Sequence, residues 1–487
     1  MGFLAYLPLL MTLLPGREIP AGTHLEIRLT TPVGTYASKP GSTVSAVLTA
    51  AVIAGDHVLL PAGSTLAGEV KSVRRVGLGI VHETAEIELE FQQVTLSGST
   101  TIPISARVIE VDNARERVAP DGRIYEQRST ASLSTRASGY VRMAVGLNVH
   151  AQLGIWAVKS VVVNIPEPEI YYPAGAEMTL ALNARSWAPE PGGAGAMPRT
   201  LIGDELAALD GLTGAMPERT TNRSRRASDL INVMFIGTRE QLSAAFLAAG
   251  WSETPRANLA SHLRNIRAVL EEEGNRTAPM STLLLDGEAP DMMWQKGLND
   301  VGKRHHIRIW KRKETSNGQE IWVGAATHDV DFAYLRPGMP VTHRIAPEID
   351  RERDKVVRDL QFASCVDLAD WMERPEVSRE MHNATGDRMT TDGRLAVVRL
   401  RDRPAPQLSV EFPLEPLPAH GKRMERFARR EILSMRNELI RNNSYWRSYE
   451  AIRFAVTAAR RHKEQEVELA KAEPKALERV TGLVALR

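Results

Sequence analysis

The period at which apolar residues recur changes once along this chain of 487 residues, across a stretch poor in anything that could build a core. From Ile19 to about Asn183 apolar positions alternate in short runs: His24 to Leu29, Thr43 to Ala50, His57 to Leu60, Thr65 to Val73, Ala85 to Phe91 and Ile102 to Ile109. A two-residue period turns one side of each run toward a core and the other toward water, which is the pattern of strands. Runs that recur roughly every ten residues suit a small barrel or sandwich. Pro-Ala-Gly occurs at Pro20-Ala21-Gly22, Pro61-Ala62-Gly63 and Pro173-Ala174-Gly175, each followed three positions later by an apolar residue, Leu25, Leu66 or Met178. Proline presets its own φ and glycine accepts positive φ, so each triplet predicts a turn into a strand, and the third is expected to close the module. Residues Glu110 to Gly139 break the alternation with charge, Ser and Thr, and are expected to form a long surface loop.

Between Ala184 and Arg226 the chain is rich in Pro, Gly and Ala, as in Pro189-Glu190-Pro191-Gly192-Gly193-Ala194-Gly195, and then basic at Arg223, Arg225 and Arg226. Such a stretch buries too little to stay folded alone and predicts a flexible linker, with one short amphipathic turn over Leu201 to Leu212. Beyond it helical periods appear. Asp229 to Gly237 reads as a buried strand. Thr238-Arg239-Glu240-Gln241 has the form of a capping box, Leu242, Ala245, Phe246 and Ala249 follow at helical spacing, and Gly250 ends the element. Ser261 to Glu273 predicts a second helix. Strands at Ser281 to Leu285 and Asp291 to Trp294 flank an Asp286-Gly287 turn. A third helix is expected with Asp350 as N-cap and Val356, Val357 and Leu360 on its apolar face, running on past Cys365 toward Trp371.

The fold class expected is therefore α+β: an all-β barrel or sandwich module at 17–183, a linker at 184–226, an α+β domain with a β-hairpin at 227–418, and a basic amphipathic helical region at 419–487. Residues 1–16 are almost wholly apolar, too short to span a bilayer but suited to the core of a signal peptide, which predicts export. From Lys422 onward Lys and Arg outnumber Glu, so an anionic membrane surface or a partner helix is a candidate ligand there. The 61 basic and 59 acidic groups give no global field for nucleic acid, and none is expected as a partner. No internal segment is long and apolar enough for a transmembrane bundle. Cys365 is the only cysteine, which excludes an intramolecular disulfide and a zinc site built from Cys pairs. Trp251, Trp294, Trp310 and Trp322 are expected to be core and hairpin packing rather than a carbohydrate platform. Walker loop, GxGxxG, GxSxG and HExxH are absent.

Two stretches resemble known families. Pro40 to Val47 and Val58 to Val70 resemble the β-barrel of TrbI-type components of type IV secretion channels, which implies an envelope scaffold. Residues 229–365 resemble the LssY C-terminal domain. The motifs are Ala-Ala-Gly-Trp at Ala248 to Trp251, the strand Arg304-His305-His306-Ile307-Arg308-Ile309-Trp310, Thr327-His328-Asp329, and Thr342-His343-Arg344-Ile345. That family occurs on bacterial envelope proteins, so the resemblance implies an envelope setting and, as partners, envelope proteins or the membrane surface.

Asn317-Gly318 between two alternating runs predicts a hairpin. With both residues in a two-residue turn, Arg308 falls opposite Thr327 and His306 opposite Asp329, while His305 shares the other face with Ile307, Ile309 and His328. The candidate binding set is Arg304, His306, Arg308, His328, Asp329, His343 and Asp350. Imidazoles and carboxylates of this kind can ligate a metal, fix the hairpin by hydrogen bonds, or, with Arg304 and Arg308, hold an anion. No residue is assigned a catalytic role, and no metal or cofactor is identified. Two functions remain: a non-enzymatic envelope scaffold or binding protein, and a metal-dependent hydrolase of a phosphate-containing or lipid-linked substrate. Convergence of His306, His328 and His343 in one open cleft favours hydrolysis; dispersal or burial favours binding.

Overall fold

A computed structural model describes residues 16–126, 169–189, 201–254, 280–333 and 342–401, except 56, 79–83, 97–99, 202, 215 and 301, with scattered positions between 424 and 452. The expected signal-like segment apart from Gly16, the helix at Ser261 to Glu273 and most of the basic region at 419–487 lie outside the described residues.

Six strands of the first half close into a ring: β1 (His24–Leu29), β2 (Thr43–Leu48), β3 (Thr65–Arg74), β4 (Glu86–Thr95), β5 (Thr101–Val111) and β6 (Glu177–Leu182). Each pairs antiparallel with the next, and β6 returns to β1 with Leu180 opposite Leu25. Closure leaves no open edge within the ring, and this resolves the barrel-or-sandwich alternative in favour of a barrel. The inward residues are the ones the alternation picks out, among them Leu25, Ile27, Val44, Leu66, Val70, Leu89, Phe91, Val108 and Leu180, all buried in one cluster. Each such side chain contributes about 1.5–3 kcal/mol by leaving water. Gly22, Gly63 and Gly175 of the three triplets have φ of 81°, 87° and 92°, which is why glycine holds each turn. At Gly68, where β3 bulges against β4, an added Cβ would lie 2.3 Å from the Glu90 carbonyl oxygen, so close strand approach excludes any side chain.

Two stretches expected to be irregular contain ordered elements. The predicted loop at Glu110 to Gly139 begins inside β5, and Arg117–Val118 and Arg123–Tyr125 extend the barrel wall beside β4. In the interval expected as a linker, Ser186–Pro189 pairs with Gly16–Ile19, α1 (Gly203–Gly214) docks on the second half, and Arg219–Thr221 pairs with Ala227–Leu230. The apolar residues of this interval are few, but Ala188, Leu201 and Leu209 are each buried against a neighbouring module. Composition reports what a segment can bury alone, whereas docking depends on the surface it meets.

The second half is a mixed sheet. Its strands are β7 (Val233–Ile236), β8 (Ser252–Glu253), β9 (Met292–Lys296), β10 (Arg304–Ser316), β11 (Gln319–Ala333), β12 (Thr342–Ile345), β13 (Val366–Glu373) and β14 (Arg394–Leu400). They run in the order β8-β9-β10-β11-β7-β14-β13 with β12 on β11, and β7 and β14 are parallel. Phe235, Ile307, Ile309 and Trp322 face α2 (Arg239–Ala248) and α3 (Ile349–Phe362); Met234, Ile236, Trp310 and Val323 face α1. The capping box forms as expected: the Gln241 N–H donates to Thr238 Oγ1 and the Thr238 N–H to Gln241 Oε1. Trp251, Trp294, Trp310 and Trp322 are buried in the two cores.

Helix α3 departs from expectation at both ends. Its N-cap is Glu348, without a side-chain cap, and Asp350 lies inside the first turn. It stops at Phe362, and Ser364 with φ of 49° turns the chain so that buried Cys365 leads into β13. Burial pushes the Cys365 thiol up, consistent with an inert packing role. No helix among the described residues is long and apolar enough to cross a membrane.

Candidate functional site

The hairpin turn is the expected one, with Asn317 and Gly318 at φ of 50° and 80° and Ser316 opposite Gln319. Between Lys311 and Thr315 the register then shifts, so Arg304 pairs with Asp329, His305 with His328 and His306 with Thr327. The expected partners, Arg308 with Thr327 and His306 with Asp329, are therefore not opposite one another. Their faces survive because the slip is by an even number of residues.

On the α1 side lie five of the expected residues, Arg304, His306, Arg308, Asp329 and His343, and His306 Nδ1 is buried there without a hydrogen-bond partner. The His306 ring nitrogen Nε2 and Thr327 Oγ1 are 2.8 Å apart, and burial lowers the His306 pKa to about 3, leaving the ring neutral. Arg304 donates to Asp329 at 2.9 Å and to Gln295 at 3.0 Å. Burial alone would raise the Asp329 carboxyl, but adjacent positive charge outweighs it and holds the group at about 2. His343 on β12 stands 3.9 Å from the same Asp329 oxygen. Arg308 donates to Asp229 and to the carbonyl and hydroxyl of Ser281. The two arginines that could have held an external anion thus hold the chain's own carboxylates. Asp350 accepts from the Thr391 hydroxyl at 2.8 Å and the Asp392 N–H at 2.5 Å and pairs with Arg353. It fixes the start of α3 and is no partner of the histidines.

On the other face a different group assembles, built from both modules. His305 and His328 stack with centroids 4.2 Å apart and planes 23° from parallel. His305 Nδ1 meets Glu352 Oε2 of α3 at 2.6 Å, and its Nε2 meets the Asp112 carboxylate at 2.8 and 2.9 Å. His328 Nε2 meets Asn113 Oδ1 at 2.9 Å. Asp112 and Asn113 follow β5 at a corner of the barrel, where Asn113 takes a φ of 54°. Burial disfavours charge on His305, but Asp112 and Glu352 outweigh it and raise its pKa to about 10; burial lowers His328 to about 3. A cationic and a neutral imidazole therefore lie face to face.

Beside them runs an ion network that joins the halves. Glu177 at the start of β6 accepts from Arg28 at 2.7 Å, Lys296 at 2.6 Å and Lys355 at 2.6 Å, and Asp359 accepts from Lys296 and the Trp251 indole, both at 2.9 Å. Burial opposes ionisation of Glu177, yet Lys296, Lys355 and Arg28 hold its carboxyl well below the usual range. Glu352, Lys355 and Asp359 lie on one side of α3 because three- and four-residue steps return to the same face. The contact continues through Asn299, which donates to Glu116, and Lys303, which donates to the Ala114 carbonyl. Between barrel and sheet lies a cleft of about 520 Å³ lined by Asp112, Glu177, His305, His328, Glu352 and Lys355, with Glu26, Arg351 and Arg358 at its margin.

Of the expected set, only His328 lines this cleft. Strand parity puts His305 on the cleft face but outside the candidate set, and Asp112, 193 residues away, belongs to the stretch expected as a loop. The stripe Glu352, Lys355 and Asp359 beside the apolar face of α3 reads in the sequence as a solvated helix face, so local pattern gave no signal for this cluster.

Residues 213–395 match the family model described as the LssY C-terminus, and the motif-bearing segment 229–365 lies within that match. Among solved structures, ComB10 of the Com type IV secretion system of Helicobacter pylori is 12% identical, the alignment covering 36% of this chain and 92% of that one at a TM-score of 0.21. No curated protein matches this sequence.

Proposed function

We propose that this protein is an exported cell-envelope binding protein that works through the cleft between its barrel and its LssY-like domain, with no hydrolytic centre at the histidine and aspartate set first expected. The observation that carries this reading is the separation of that set: His306 and His343 sit with Asp329 on one side of the sheet and His328 on the other. Three groups on two sides of a sheet cannot converge on one substrate atom. On the α1 side burial keeps His306 neutral, and Arg304 and Arg308 are each paired with a carboxylate of the chain, which weighs against His306 as a general base and against these arginines as an anion clamp. The apolar N-terminal segment supports export, and the LssY family match supports an envelope setting.

The test is made on the full chain in cells. A reporter active only outside the cytoplasm should be active when fused to it, and a photo-crosslinker at Arg351 on the cleft margin should yield an envelope adduct that one at exposed Leu78 does not. Cytoplasmic retention would refute export. Turnover of a phosphate- or lipid-linked substrate that is abolished in His306→Gln would refute the non-catalytic reading.

A further inference from the structure

We propose that Asp112, His305 and His328 form a transition-metal site, suited to Zn²⁺, that is shared between barrel and sheet and opens on the cleft. Two imidazole nitrogens and one carboxylate oxygen lie within 4.8 Å of one another. Zinc bonds of about 2.0–2.2 Å put tetrahedral ligands roughly 3.3–3.6 Å apart, so the farthest pair must close by about an ångström as the ion binds. The scaffold presents these donors together. Cross-strand pairing stacks the two rings, and their Nε2 atoms meet the consecutive barrel residues Asp112 and Asn113. Behind His305, Glu352 Oε2 at 2.6 Å receives the Nδ1 proton and leaves Nε2 for a metal, the carboxylate–histidine–metal arrangement that orients such ligands. Glu352 is itself 3% exposed, and its other oxygen has no hydrogen-bond partner, so an acceptor stays buried beside the site.

Charge agrees with this assignment. Asp112, Glu177, Glu352 and Asp359 face Arg28, Lys296 and Lys355, so with neutral imidazoles the cluster carries one excess negative charge. Half the charge of a dication is thereby cancelled, and the remaining positive charge favours an anionic fourth ligand, water-derived or a carboxylate or phosphate from the cleft. Zn²⁺ competes with the proton that His305 otherwise holds. The site does not depend on where the protein resides or on its partner, so its failure would leave the envelope reading untouched.

Tag-free full-length protein, stripped with chelator and dialysed against Zn²⁺ at neutral pH, is expected to retain one equivalent by elemental analysis. His328→Gln and Asp112→Asn should reduce retention to background, and His24→Ala on the barrel should not. Should the variants fail to fold, electron paramagnetic resonance of the wild-type chain loaded with one equivalent of Cu²⁺ decides the matter: nitrogen couplings from two imidazoles support the site. No retained Zn²⁺, full retention by both variants, or a copper spectrum lacking two imidazoles would overturn it.

Discussion

Asn232 shows how much a single side chain can carry. It is wholly buried between two strands, and its amide donates to the Ala326 carbonyl at 3.0 Å while its oxygen accepts the Ala326 N–H at 2.9 Å. The side chain therefore supplies a rung of the sheet that no backbone supplies. Asn232→Ala strands both groups of Ala326 away from water, and we expect a loss of about 2–3 kcal/mol in urea unfolding, more than an exposed Asn would give. Nothing in the sequence marks this asparagine, because its value lies in a partner 94 residues distant. The same limit governs His305. Its face could be read from parity along β10, but its barrel partner Asp112 could not be inferred from local pattern.

Elements were legible wherever a local backbone demand meets a residue that alone satisfies it. The Pro-Ala-Gly turns, the Thr238 capping box and the Asn317-Gly318 turn are all of this kind. Gly318→Ala should destabilise by about 1 kcal/mol in thermal unfolding, through backbone conformation alone, since φ is 80° and a Cβ there would meet nothing within 4 Å. An unchanged midpoint would mean that the turn relaxes. The bulge between Lys311 and Thr315 was not legible. Lys311-Arg312-Lys313-Glu314-Thr315 contains no glycine or proline to announce it, yet it resets which histidines meet. Barrel closure was equally hidden, because alternation is the same in an open sandwich and a closed ring. The ordered pieces of the expected linker were missed because their few apolar residues are buried by other modules.

At the scale of the whole molecule, a network of buried charge joins the halves among the described residues. Glu177 comes from the barrel, Lys296, Lys355 and Asp359 come from the sheet domain, and Arg28 of the barrel lies 5.0 Å from the Phe362 ring centroid. Such a network gives orientation, and removing one partner leaves the others unpaired in a poorly solvated place. It also sets a pH dependence. The Glu177 carboxyl is depressed when folded, so between that value and the usual one near 4.5 the unfolded chain binds the extra proton. Its contribution is then fully present above about pH 4.5 and is lost as pH falls toward the folded value. Unfolding free energy should therefore be followed from neutral pH into this acid window for the wild-type chain and Glu177→Gln. If the modules are held by this network, the variant loses about 3–5 kcal/mol at neutral pH and declines less steeply on acidification. Superimposable curves at all pH values would contradict a barrel and sheet locked together around a shared cleft.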